Sequence, residues 1–125
     1  MTLITSNLNR TLERHLEINP PPQRVDIISS YIRKEGIDVV WPVFEVLEEK
    51  GARIRIISTF NRKITDVDSI ERLAKLKNTE VYIFEPSRVN FHAKTWFFGH
   101  ANRDLDTAII GSSNLTGRGV AAAVE

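Results

Sequence analysis

Short apolar runs alternate with segments of helical character through residues 25–85, and this alternation constrains the fold more than any other feature of the sequence. The periodicity predicts strands at 25–32, 52–59 and 80–85 and helices at 37–50 and 66–77. Gly51 suits the C-terminal end of the first helix, and Pro42 suits that helix if it lies in the first turn. Strands that alternate with helices favour βαβ units and a parallel sheet.

The last part of the sequence departs from this alternation. The runs TWFF (95–98) and TAII (107–110) are too close together for a crossover helix between them, so they predict an antiparallel hairpin. The expected fold is therefore α/β, with a mixed, largely parallel sheet covered by helices and a C-terminal hairpin.

The N-terminal residues 1–22 form a separate segment. A helix is predicted over 3–18, followed by a stiff connector of three prolines at 20–22. Residues 23–125 then form the α/β core, and the whole chain of 125 residues is expected to be one domain. Because the sequence stops after a short Ala-rich segment, we expect a fragment of a longer protein, cut at its C-terminus.

Composition excludes several classes of protein. There is no cysteine, which excludes disulfides and thiolate metal sites and fits the cytoplasm. No signal peptide precedes the core, and no apolar stretch approaches the roughly 20 residues that span a bilayer, so a soluble protein without a membrane partner is expected. With 17 basic and 16 acidic residues the net charge is +1, which does not identify a substrate.

Two segments near the end carry the chemistry. In the apolar run VNFHAKTWFF, His92 and Lys94 lie two positions apart, so in a strand they share one face, where they need a negative partner. The second segment, Gly111 to Asn114, follows TAII directly and precedes residues that can start a helix. A strand, a glycine turn and a helix N-terminus suit an anion, and a hairpin would let both segments converge on one phosphate.

These residues resemble the signature of the phospholipase D superfamily, which reads His-x-Lys, four residues, Asp, six residues, Gly-Ser-x-Asn. The matching residues are His92, Lys94, Gly111, Ser112, Asn114 and, eleven positions after the Asn, Glu125. The family's Asp falls at Gly99 counted from Lys94 or at Asp104 counted back from Gly111. An insertion of about five residues in the hairpin turn favours Asp104, since loops tolerate insertions. Residues 25–125 are also similar to the phospholipase D-like domain of bacterial superfamily-two helicases and restriction-system nucleases.

The resemblance implies a reaction and a site. His92 would attack phosphorus to form a phosphohistidine, Glu125 would orient the histidine, and no metal or other cofactor would be needed. The phosphate oxygens would be held by Lys94, Ser112, Ser113 and Asn114. Since the family uses two motifs and this chain has one, a homodimer sharing one site is implied.

The implied substrate is nucleic acid, most simply DNA, cleaved by a nuclease module joined to a helicase or DNA-recognition domain. A catalytically idle nucleic-acid-binding module and a phospholipid phosphodiesterase are the alternatives. Basic residues after the first two strands are candidates for a substrate groove, with surface solvation equally open: Arg33, Lys34, Arg62 and Lys63.

Other conspicuous residues receive structural interpretations. His15 and His100 are expected to be non-catalytic, with His100 exposed in the hairpin turn. Trp41 and Trp96 are expected to pack in or near the core. Histidines and carboxylates do not occur together at metal-ligand spacing, so no metal site is expected.

Overall fold

The computed structural model describes residues 12–14, 16–17, 21–59, 66–84 and 94–110, with Lys94 and Ile110 described in their backbone only. The five strands are β1 Arg24–Ser29, β2 Arg53–Thr59, β3 Thr79–Phe84, β4 Lys94–Gly99 and β5 Thr107–Ile110. Two α-helices are described over their full length, α1 Lys34–Glu49 and α2 Val67–Ala74, and a short 3-10 helix, Arg103–Leu105, joins β4 to β5. The predicted alternation of strand and helix is confirmed.

The strands form one mixed sheet in the order β3-β2-β1-β4-β5. β1, β2 and β3 are parallel, whereas β4 runs antiparallel to both β1 and β5. The predicted mixed sheet with a C-terminal hairpin is therefore correct. Because β1 pairs with strands of both kinds, it is the centre of the sheet and joins the βαβ part to the hairpin.

One face of the sheet carries the hydrophobic core. The connections β1–α1–β2 and β2–α2–β3 move in the same direction across the sheet. Because such connections are right-handed, both helices are expected on the same face of the sheet. Accordingly, alternate residues of β1, β2 and β4 pack with the apolar stripe of α1. The buried side chains from these elements are Val25, Ile27, Ile54, Ile56, Trp96, Phe98, Ile37, Val40, Val43, Phe44 and Leu47. From the N-terminal segment, Leu12 and Leu16 join this core, as expected for helical residues four apart.

The opposite face of β1, β2 and β3, which we call the open face, is more exposed. It is formed by Asp26, Ile28, Arg55, Ile57, Tyr82 and Phe84, which line one shallow depression. Tyr82 and Phe84 are 44% and 58% exposed, whereas the core-facing side chains of β1 and β2 are almost completely buried. Among the residues that the structure describes, both helices therefore lie on the core side.

Helix α1 differs from the prediction at its start. It begins at Lys34, three residues before the predicted start at 37, and Pro42 lies in its interior, beyond the first turn that would suit a proline. Proline lacks the N–H that would bond to the carbonyl four residues earlier, yet the helix continues through it because a full apolar stripe is buried on the core side. Pro42 itself is exposed.

The end of α1 explains why glycine occupies position 51. Gly51 has φ +75°, a left-handed conformation that other residues adopt at a cost. Its N–H donates to the carbonyl of Glu48, and the N–H of Ala52 donates to the carbonyl of Leu47, both at 3.0 Å. These two bonds form a Schellman motif, so Gly51 lies one position beyond the C-cap Lys50.

Smaller differences concern two other elements. β1 ends at Ser29 instead of residue 32, because the chain turns there and the Ser29 hydroxyl donates to the carbonyl of Tyr31 at 2.9 Å. α2 ends at Ala74 instead of residue 77. Within the described residues, no helix has the length and apolar character required to cross a membrane.

Candidate active site

The ends of the strands define the edge of the sheet at which the two halves of the motif would come together. Parallel β1, β2 and β3 end at the same edge of the sheet, where ligands bind in open α/β sheets. Antiparallel β4 begins at this edge, with Lys94 paired with Ser29, and β5 ends there, with Ile110 paired with Thr95. We call this the carboxyl edge. The strands that flank the two halves of the motif thus reach the same edge, next to β1.

Several of the predicted site residues lie outside the residues that the structure describes. These are His92, Ser112, Ser113, Asn114 and Glu125, together with the candidate groove residues Arg62 and Lys63. Lys94 is placed by its backbone in the first position of β4. The predicted contacts between these side chains therefore stay predictions.

Buried hydroxyl groups join the ends of β1 and β2 at the carboxyl edge. Ser29, Ser30, Ser58 and Thr59 are all buried. The hydroxyl of Thr59 donates to the carbonyl of Ser30 at 2.6 Å, and the Thr59 N–H donates to the same oxygen at 3.4 Å. Sequence reasoning missed this role, although small hydroxyl residues at the ends of two neighbouring strands were a visible signal.

Asp66 forms a second connection at this edge. Its carboxylate accepts a hydrogen bond of 2.6 Å from the backbone N–H of Lys34, the first residue of α1. Its own N–H donates to the carbonyl of Ile32 at 3.0 Å, and Asp66 is also the N-cap residue of α2. A carboxylate is favourable at a helix N-terminus, where backbone N–H groups are unsatisfied. Asp66 was predicted only as the start of α2, and its contact with α1 spans 32 positions of sequence.

The two described basic groove candidates, Arg33 and Lys34, are exposed at the start of α1. The guanidinium Nε of Arg33 lies 3.7 Å from a carboxylate oxygen of Glu35, and the ammonium of Lys34 donates to the carboxylate of Asp38 at 3.0 Å. Arg72 from α2 bonds to the other oxygen of Asp38 at 2.7 Å. Hydrogen bonds from Arg72 first and Lys34 second lower the pKa of Asp38 below its usual value. Both basic side chains are therefore partly neutralised by acidic neighbours.

The structure does not bring Asp104 to the carboxyl edge. It is exposed in the 3-10 helix between β4 and β5, where its N–H donates to the side chain of Asn102 at 3.0 Å. This turn follows Gly99, which pairs with Arg24 at the start of β1. The six residues of β4 separate this end of the sheet from Lys94, a distance of roughly 17 Å.

The expected exposure of His100 in this turn is wrong. Its side chain is only 6% exposed, because the turn folds back and the His100 N–H donates to the carboxylate of Asp106 at 2.8 Å. Its place is at the far end of the sheet from Lys94, next to Gly99.

The tryptophans pack as predicted. Trp96 is 2% exposed in the core. Trp41 packs against Phe44 with a ring separation of 6.2 Å, and the guanidinium of Arg72 lies 3.8 Å from the ring centre of Trp41.

Within the part of the chain that the structure describes, no group of three or more histidine and carboxylate side chains is arranged to hold a metal ion.

Comparison with solved structures supports the fold. Polyphosphate kinase from Porphyromonas gingivalis matches with a TM-score of 0.60 and 13% sequence identity, over 87% of this chain and 16% of that protein. This chain therefore spans about a sixth of the length of that enzyme, and the low identity limits the likeness to the fold. A search of curated proteins finds no match.

A family model gives the assignment. The model described as "Cardiolipin synthase, PLD-like domain" matches residues 16–125, which include every strand of the sheet and the whole His92 to Glu125 motif. The match covers most of the chain and agrees with the mixed α/β sheet. The chain therefore belongs to the phospholipase D-like domain family of the cardiolipin synthase type.

Proposed function

We propose that this protein is a metal-independent phosphodiesterase, and specifically a nuclease module that cleaves DNA through a phosphohistidine at His92. The observation that carries the proposal is the register of the hairpin. Pairing of Lys94 with Ser29 and of Ile110 with Thr95 brings the strands that flank both halves of the motif to the carboxyl edge of the sheet. A motif split by 17 positions of sequence needs such an arrangement to act on one phosphate.

The reaction follows from these groups. A nitrogen of His92 attacks phosphorus, the N–P bond forms, and the bond to the leaving oxygen breaks as that oxygen takes a proton from the histidine of a second copy. Water then attacks the phosphorus, gives its proton back to that histidine, and the N–P bond breaks. Lys94, Ser112, Ser113 and Asn114 stabilise the charge on the phosphate oxygens, and Glu125 orients the attacking imidazole.

A second copy is part of the proposal because the chain has one motif and the reaction uses two histidines. Association with a helicase or restriction system, in the cytoplasm, is the setting that the sequence resemblance favours. Arg33 and Lys34 lie at the carboxyl edge where a phosphate backbone would pass, and a polyanionic substrate would compete for them with their acidic neighbours Glu35 and Asp38.

Phospholipid chemistry is the second candidate, favoured by the family description, which names cardiolipin synthase. There the same phosphohistidine would be attacked by the hydroxyl group of an alcohol instead of water. An idle nucleic-acid-binding module is the third candidate, and the intact pair His92 and Lys94 argues against it.

The test is hydrolysis of bis(p-nitrophenyl) phosphate in the presence of EDTA. We expect turnover in wild type and a loss of roughly a thousandfold or more in His92→Ala, as for removal of a nucleophile. His15→Ala is the matched control and should retain turnover. A labelled DNA oligonucleotide and phosphatidylglycerol vesicles, offered in parallel, separate nuclease from lipid activity.

Each result has a separate meaning. Turnover lost with EDTA contradicts the metal-independent mechanism, and full turnover in His92→Ala refutes the nucleophile. Transfer to phosphatidylglycerol without DNA cleavage overturns the nuclease proposal in favour of lipid chemistry. DNA binding without any turnover identifies the idle module.

A further inference from the structure

Asp66 lies between three pieces of backbone at the carboxyl edge. Its carboxylate accepts from the N–H of Lys34 at 2.6 Å, its N–H donates to the carbonyl of Ile32 at 3.0 Å, and its carbonyl accepts from the N–H of Ile70 at 3.2 Å. One residue thus connects the start of α1, the end of the β1–α1 loop and the first turn of α2.

The β1–α1 loop, residues 30–33, is consequently held at both ends. At the strand end, Thr59 donates to the carbonyl of Ser30 through its hydroxyl and its N–H. At the helix end, Asp66 bonds to Ile32 and Lys34. The loop begins directly after Ser29, the residue that pairs with Lys94 across β1 and β4. Its conformation is therefore fixed beside the first residue of the motif strand.

The same contact determines where α1 begins. The N-cap residue Arg33 has an extended backbone and makes no side-chain capping bond of its own. Asp66 supplies the capping carboxylate from another helix, which satisfies one of the exposed N–H groups of α1. Without it, the first turn of α1 would lose its backbone bond to Asp66 and would be joined to α2 only through the side chains of Asp38 and Arg72 among the contacts described above.

We propose that Asp66 is a positioning residue for substrate binding, which fixes the β1–α1 loop so that Arg33 and Lys34 meet a phosphate backbone passing the carboxyl edge. This inference rests on the proposed function. Asp66 acts through its backbone partners and not on the phosphate itself, since a carboxylate repels a polyanion. Asp66 is therefore expected to strengthen DNA binding by fixing the loop and to weaken it by its negative charge.

This opposition gives a sharp experiment. Asp66→Asn removes the negative charge but keeps an oxygen that accepts the Lys34 N–H, whereas Asp66→Ala removes both. Asp68→Ala removes the same charge from an exposed position in the same turn of α2 and serves as the matched control. Affinity for a labelled single-stranded DNA oligonucleotide is measured by fluorescence anisotropy, and hydrogen exchange is followed at the amides of residues 31–34.

We expect Asp66→Ala to weaken DNA binding roughly tenfold, in line with the loss of a charge-assisted hydrogen bond. Asp66→Asn and Asp68→Ala should bind as tightly as wild type or more tightly. Hydrogen exchange in the loop should accelerate in the Ala variant and not in the Asn variant.

Three outcomes overturn the inference. If Asp66→Ala binds DNA as tightly as wild type, the loop does not position the substrate, whether or not the protein is less stable. If Asp66→Asn loses as much affinity as Asp66→Ala, an accepting oxygen at position 66 is not sufficient to hold the loop, and the positioning role is wrong. Wild-type protein that binds no DNA at all refutes the proposed function, and the inference fails with it.

Discussion

The guanidinium of Arg55 makes two hydrogen bonds to the carboxylate of Asp26 across the parallel pair β1–β2, at 2.7 and 3.0 Å. The two side chains are 43% and 25% exposed on the open face. The hydrogen bonds that Arg55 donates to Asp26, followed by the negative charge of Asp26, raise the pKa of Arg55. A paired carboxylate and guanidinium thus occupy the middle of a sheet face that is otherwise partly apolar.

The geometry of this pair predicts its energy. In a double-mutant cycle with Asp26→Ala and Arg55→Ala, we expect a favourable coupling in the free energy of unfolding, since two hydrogen bonds join partly shielded groups. The control is the more exposed pair Arg53–Glu80, joined by one hydrogen bond of 3.1 Å. Its coupling should be weaker than that of Asp26 and Arg55, because both side chains are more exposed and one hydrogen bond joins them. Equal coupling for both pairs in urea denaturation would contradict this ranking.

Gly51 predicts a cost that arises from backbone conformation alone. A Cβ added to Gly51 would meet no atom within 4 Å, so Gly51→Ala introduces no clash. It still forces alanine to φ +75°, and we expect a loss of about 1 kcal/mol of unfolding free energy. Gly51→Asn should cost less, because asparagine tolerates this conformation. Thermal unfolding of both variants checks the prediction, and an alanine variant as stable as wild type would refute it.

Tyr82 donates a hydrogen bond to Glu80 on the exposed edge strand β3. This bond raises the pKa of Tyr82, and the same bond, followed by that from Arg53, lowers the pKa of Glu80. For Tyr82 the folded pKa lies above the unfolded value, so its contribution to stability is complete below the unfolded pKa and is lost as pH rises through the folded one. For Glu80 the contribution is present above the unfolded pKa and is lost as pH falls through the folded one.

We therefore expect a tyrosine that ionises above the ordinary pKa of about 10. Absorbance of tyrosinate should show a late component, which disappears in Tyr82→Phe and moves to lower pH in Glu80→Gln. The chain has two tyrosines, so the Phe variant leaves one tyrosine to be titrated. A late component that survives in Tyr82→Phe would show that it does not come from Tyr82, and one that stays at the same pH in Glu80→Gln would show that Glu80 is not its cause.

The single motif predicts self-association. We expect light scattering to show a dimer of the active protein, because one chain supplies one His92 and the proposed reaction uses two. The mass of His92→Ala should be unchanged, since the reaction and the association depend on different groups. A strictly monomeric form that retains full turnover would be inconsistent with a shared site.

Much of the fold was predictable, because the signals that set it are local. Alternating apolar runs gave the parallel part of the sheet, and the short spacing between β4 and β5 gave the hairpin. The start of α1 was not predictable in the same way, since it depends on a carboxylate, Asp66, supplied from 32 residues away. Pro42 pointed to a first-turn position by its propensity, but burial of the apolar stripe of α1 outweighed that preference.

The site was predictable in its residue types and less so in its surroundings. The pattern from His92 to Glu125 identifies the family, which the match over residues 16–125 confirms. The bond from the buried Thr59 hydroxyl to the carbonyl of Ser30 was missed because it is a contact between neighbouring chain segments, which periodicity does not report. The exposure of His100 was predicted wrongly because a turn residue is normally exposed. In this turn, the backbone N–H of His100 donates to the carboxylate of Asp106, and His100 is buried.

The position of β1 has a consequence for synthesis of the chain. One side of β1 can pair as soon as β2 has left the ribosome, but the other side pairs with β4, whose residues Lys94–Gly99 follow some seventy positions later. At roughly 5 to 20 residues per second, the central strand keeps one unsatisfied edge for several seconds. During that time the unpaired backbone groups of β1 can bond to a neighbouring nascent chain, so a chaperone that covers this edge would protect the protein from aggregation.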